Sequence, residues 1–87
     1  MKQFRVTAAF AHKSIAGESI LMQVTTGELY SLNETGSYIY QSLADGKDSD
    51  SVASNLLNEF DIQQSEAFNE VQSFSQELIE LGALEAL

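Results

Sequence analysis

Apolar residues recur along this chain with two different periods. Over residues 10–32 they form short runs or alternate with polar positions around Gly17 and Gly27. Over residues 33–81 they return every three or four positions, in three blocks separated by Gly46 and by Asp61-Ile62-Gln63. The first period predicts strands and the second predicts helices. The strands are expected at 11–15, 19–24 and 28–32, joined by turns at Ala16-Gly17-Glu18 and Thr25-Thr26-Gly27. Links this short join antiparallel neighbours, because a parallel pair needs a crossover of about a dozen residues or more. The fold class is therefore α+β, a three-stranded antiparallel meander followed by three helices.

Each helix carries its own boundary signals. Asn33 is placed to cap a helix over 34–44 that buries Ile39, Tyr40 and Leu43 and stops at Gly46. A second helix opens near Asp48-Ser49-Asp50, whose carboxylates suit a helix N-terminus, and buries Val52, Ala53, Leu56, Leu57 and Phe60. The third spans 64–81. At 100° per residue Phe68, Val71, Phe74, Ser75, Leu78 and Gly82 share one broad face, with Glu66, Glu70 and Glu77 in a stripe beside it. Gly82 ends this helix, after which Ala83-Leu84 is expected to tuck back.

Charge narrows the choice of partners. The 87 residues carry a net charge of −9, unevenly spread: Lys2, Arg5 and Lys13 make the first 13 residues +3, and the rest hold Lys47 alone against 13 acids. Nucleic acid and anionic membranes are disfavoured partners, because binding to them rests on Lys and Arg displacing counterions. A basic segment is instead attracted to the body of the protein. The short apolar stretch 6–11 stops at His12-Lys13 and reads as mature protein, and no apolar run approaches the roughly 18 residues of a membrane span. A single domain over 1–87, in the cytoplasm, is the expected setting. Without cysteine there is neither a disulfide frame nor a thiolate nucleophile.

Little in the chain suggests catalysis. His12 is the only histidine, has no triad or metal partner near it in sequence, and reads as an exposed strand residue. The glutamate stripe reads as a solvated helix face, since hard cations want carboxylates converging from several elements. Tyr30, Tyr38, Tyr40 and Phe74 have no basic residues interleaved and read as core packing rather than a stacking platform. Neither a cofactor nor a metal is expected. Asp50-Ser51-Val52 at a helix start resembles the Asp-Ser-Leu site of acyl carrier proteins, in which Ser51 would carry phosphopantetheine. Those proteins are all-helical, whereas here a meander precedes. A carrier function at Ser51 is the alternative reading.

A wider resemblance covers residues 12–84. The run Thr26-Gly27-Glu28-Leu29-Tyr30-Ser31-Leu32-Asn33-Glu34-Thr35-Gly36, then Ile39-Tyr40 and Leu43 before Asp45-Gly46, resembles the PqqD family. The likeness continues through Glu59-Phe60-Asp61-Ile62 to the ending Leu78-Ile79-Glu80-Leu81-Gly82-Ala83-Leu84. Two departures are the absence of prolines near the N-terminus and Ala83 in place of a larger residue. Neither touches the strand-to-helix part of the match.

This resemblance implies a winged helix-turn-helix-like recognition element for ribosomally made, post-translationally modified peptides. Such elements are non-enzymatic: they bind the leader of a precursor peptide and present it to a maturation enzyme, whether leader peptidase, cyclase or radical-SAM enzyme. The Thr35-Gly36 helix start is similar to stand-alone elements of lasso-peptide pathways, and members serving radical-SAM enzymes and quinone-cofactor synthesis share much of the pattern. Strand chemistry agrees, since a three-stranded meander leaves edges to which an extended peptide can add. By family geometry the groove lies between the third strand, Glu28, Leu29, Tyr30, Ser31 and Leu32, and the third helix. On that helix Phe68, Val71, Gln72 and Ser75 form one flank able to line it, and Phe74 with Glu70 forms the other.

Overall fold

A computed structural model describes residues 2–16 and 18–87. Its elements in chain order are β1 (Phe4–Val6), β2 (Phe10–Ile15), β3 (Glu18–Gln23), β4 (Leu29–Leu32), α1 (Glu34–Ala44), α2 (Ser49–Glu59), α3 (Gln64–Leu81) and β5 (Leu84–Ala86). The expected meander is β2-β3-β4, antiparallel throughout. Its third strand starts at Leu29 rather than Glu28, although the Glu28 carbonyl still accepts from Gln23 N–H at 2.9 Å. The β3–β4 turn closes on Gly27, at φ +77°, whose N–H donates to the Gln23 carbonyl at 2.7 Å. In the β2–β3 turn Ala16 takes a left-handed φ of +51°. Gly17, expected in the same turn, lies outside the described residues.

The three helices occupy the spans that the apolar period predicts, because the caps act where the sequence places them. Asn33 Oδ1 accepts from Gly36 N–H at 2.8 Å, and Asp48 Oδ1 accepts from Ser51 N–H at 2.8 Å. The Ser51 hydrogen bond holds the Asp48 carboxyl below its ordinary value. Gly82 ends α3 in the left-handed region, at φ +90°.

A second, two-stranded sheet was not anticipated. β1 pairs antiparallel with β5, in the register Phe4↔Ala86, Arg5↔Glu85 and Val6↔Leu84. Thr7 extends this join, its hydroxyl donating to the Gly82 carbonyl at 2.6 Å and its N–H to the Ala83 carbonyl at 3.1 Å. Three-residue strands so far apart in sequence carry no visible period. They exist because Phe4 and Leu84 are buried in the common core.

That core is formed by Leu21 from the meander, Ile39 and Leu43 from α1, Val52 and Leu56 from α2, Val71 and Leu78 from α3, and the terminal pair. Each such side chain contributes about 1.5–3 kcal/mol relative to its exposed state. The inner face of the meander carries Phe10, Ser19, Leu21, Tyr30 and Leu32. The Phe10 and Tyr30 rings lie 5.9 Å apart. Tyr38 and Phe74 are half-buried against the core and Tyr40 is buried, as core packing requires. Burial raises the pKa of the Tyr40 phenol.

Candidate functional site

The meander has two edges, β2 and β4. They differ in character. β2 carries His12 and Lys13 along its length, and a charged residue on an edge strand discourages further pairing. β4 reads Leu29-Tyr30-Ser31-Leu32, with no charge within it.

Register decides which β4 backbone groups are already used. The Gln23 N–H donates to the Glu28 carbonyl, and in an antiparallel ladder hydrogen-bonded pairs alternate with non-bonded ones. From Leu21↔Tyr30 and Met22↔Leu29 it follows that the Tyr30 N–H and C=O point toward β3. Those of Leu29 and Ser31 point away from the sheet. The side chains alternate on the perpendicular axis: Leu32 is buried, Tyr30 half-buried, and Leu29 is 66% exposed.

The far end of β4 is held by a serine that the sequence did not single out. The Ser37 hydroxyl accepts from Ser19 N–H at 2.8 Å and donates to the Leu32 carbonyl at 3.3 Å, both within the buried interior. A side chain of α1 thus bridges β3 and β4 at the last pair of their register, Ser19↔Leu32. Ser19 also bonds the only histidine, with its hydroxyl 2.9 Å from His12 Nε2. His12 is exposed as expected, yet its ring lies 4.9 Å from that of Tyr40.

The residues expected to face β4 from α3 divide into two groups. Phe68, Val71, Gln72 and Ser75 line a cavity of about 290 Å³. Its other walls include Lys2, Phe4, Ser49, Asp50 and Ala86, and none of its lining residues comes from β4. Val71 and Ser75 are buried there, and the Ser75 hydroxyl donates to the Gln72 carbonyl at 3.1 Å. Phe74 of α3 packs instead at the start of α1. Its ring atoms come within 3.3 and 3.4 Å of the position a Cβ on Gly36 would take, in the first turn of α1, which Asn33 joins directly to Leu32. Helical spacing places Glu70, Glu77 and Leu81 on the same side as Phe74.

Ser51 is exposed in the first turn of α2, where its backbone N–H serves the Asp48 cap. Among the described residues no group of three or more His, Cys, Asp or Glu is gathered as a metal site, and no helix is long and apolar enough to cross a membrane.

The comparisons with known proteins agree with this architecture. A solved structure described as TbiB1 in complex with the TbiA(beta) leader peptide superposes with a TM-score of 0.84 at 22% identity, covering 93% of this chain and 94% of that one. Another, lasso peptide synthetase B1 complexed with the leader peptide, gives a TM-score of 0.86 at 25% identity, covering 95% and 98%. Among curated proteins none matches the chain. The family described as Coenzyme PQQ synthesis protein D (PqqD) matches residues 18–84, from the start of β3 to the first residue of β5. The chain, by sequence family and by fold, belongs to the PqqD family.

Proposed function

We propose that this protein is a leader-peptide recognition element, which binds the leader of a ribosomally made precursor as an added strand on β4 and delivers it to a maturation enzyme. The observation that carries this reading is the uncharged β4 edge, with the backbone groups of Leu29 and Ser31 directed away from β3. Main-chain hydrogen bonds set the register of the added strand, and side-chain pockets beside it give specificity. The two superposed structures support the reading, since each is a complex with a leader peptide and each is covered almost end to end.

The groove runs between β4 and the side of α3 that carries Glu70 and Phe74. Phe74 is the helix residue that packs beside the start of α1, whereas Phe68, Val71, Gln72 and Ser75 look toward the terminal strands. The acidic body favours a leader or maturation enzyme with basic residues, through attraction that salt weakens. The protein performs no chemistry itself. It raises the local concentration of substrate at the enzyme by joining two weak contacts.

The test is a titration of isotope-labelled protein with the leader half of the precursor peptide encoded beside its gene, followed by amide shift mapping. Shifts centred on 28–32 and on the Glu70–Phe74 side of α3 are expected. A loss of binding in Gln72→Lys but not in Glu70→Lys relocates the helix wall to the Phe68–Ser75 side. A folded protein that binds no leader, but gains a phosphopantetheine mass on Ser51 when co-expressed with a transferase, overturns the reading in favour of a carrier.

A further inference from the structure

We propose that the contact between Gly36 and Phe74 sets the size of the apolar side chain that an added strand can insert between β4 and α3. This rests on the leader-binding reading and goes one step further, to the residues that determine which leader fits.

Gly36 lies in the first turn of α1, is buried, and is not among the residues with positive φ. Its backbone conformation therefore does not require glycine. A helical glycine loses more backbone entropy on folding than alanine does, so its presence here calls for a packing reason. The reason is space. A Cβ at this position would lie 3.2 Å from Asn33 Oδ1, 3.3 Å from Phe74 Cζ and 3.4 Å from Phe74 Cε1. Two of these contacts are with a ring that is itself only half-buried. The ring thus rests on the backbone of α1, with part of its surface still open to solvent.

The location gives this contact its consequence. Asn33, whose side chain caps α1 through Gly36 N–H, follows directly on Leu32, the last residue of β4. A strand added to β4 passes this corner, and a side chain it directs toward α3 meets the Phe74 ring. How deeply the ring sits over Gly36 determines how much room remains. Adding a methyl at 36 pushes the ring outward by a few tenths of an ångström and narrows the opening. Shortening residue 74 widens it.

Opposite changes at the two positions must therefore shift preference in opposite directions, which a purely structural contact does not do. The experiment uses the leader that binds in the titration above. Its apolar position most sensitive to alanine is remade as Ala, Val, Leu, Phe and Trp, and each peptide is titrated into wild type, Gly36→Ala, Phe74→Leu and Phe74→Ala. Phe74→Leu preserves an apolar side chain should the alanine variant fail to fold. The affinity ratio of the Phe peptide to the Val peptide is expected to rise about tenfold or more in the Phe74 variants and to fall about threefold or more in Gly36→Ala. An equal loss for all five peptides, or an unchanged Phe-to-Val ratio, overturns the size filter while leaving strand addition standing. A wild type that binds no leader overturns both.

Discussion

The buried N–H of Ser19 donates to the hydroxyl of Ser37, at 2.8 Å, at the end of the β3–β4 pairing. One α1 side chain thereby joins both strands at the end of their pairing and ties the helix to the β4 edge.

Replacing Ser37 with alanine removes that hydroxyl as an acceptor for the buried amide. An unsatisfied buried donor costs about 1–3 kcal/mol, and in a domain of this size each kcal/mol lowers Tm by about 4–8 °C. A thermal melt of Ser37→Ala should show a drop in that range, and Ser37→Thr, which keeps the hydroxyl, a smaller one. Equal melting temperatures for wild type and the alanine variant would mean the Leu32 carbonyl accepts directly.

Leu29→Pro and Ser31→Pro each remove an N–H that points away from β3. Loss of a hydrogen bond and the steric bulk of the ring together should weaken leader affinity by about tenfold, with the circular dichroism spectrum retained. Tyr30→Pro removes a donor inside the ladder and should disturb the fold itself. Calorimetric titration separates the cases, and equal affinity in the first two variants would place the peptide elsewhere.

Phe4 lies outside the residues matched by the family yet is only 3% exposed. Phe4→Ala should destabilise by about 3–5 kcal/mol, against a total stability on the order of 5–10 kcal/mol for such a chain. Urea denaturation measures this directly. A loss under about 1 kcal/mol would show that β1 contributes little to the core.

Asp48 supplies a pH dependence of known sign. Its folded-state pKa lies below the ordinary value of 3.8, chiefly through the hydrogen bond from Ser51 N–H. The contribution is therefore complete above the unfolded value and is lost as pH falls through the folded one. Asp48→Asn keeps an acceptor at the cap but removes this titration, so stability should decline less steeply in the variant than in wild type between about pH 5 and pH 2. Parallel curves for the two proteins would assign the acid sensitivity to other carboxylates.

Local signals determined most of this architecture. The meander, the spans of α1, α2 and α3, their capping by Asn33 and Asp48 and the stop at Gly82 all follow from apolar period, cap chemistry and glycine position, because each depends on neighbours within a few residues. So does the uncharged character of Leu29-Tyr30-Ser31-Leu32, on which the proposal of β4 as the receptive edge rests. The tertiary structure alone decided what depends on residues distant in sequence. Pairing of Phe4–Val6 with Leu84–Ala86 joins segments that only the fold of the chain between them brings together, and Ser37 meets Ser19 only because α1 lies across the sheet. Both sides of α3 carry apolar residues, Phe68 and Val71 on one and Phe74 and Leu81 on the other, and helical period cannot say which neighbour each side meets. Packing settles it: the terminal strands take the side with Phe68, Val71, Gln72 and Ser75, and the absent side chain of Gly36 leaves room for Phe74 on the other.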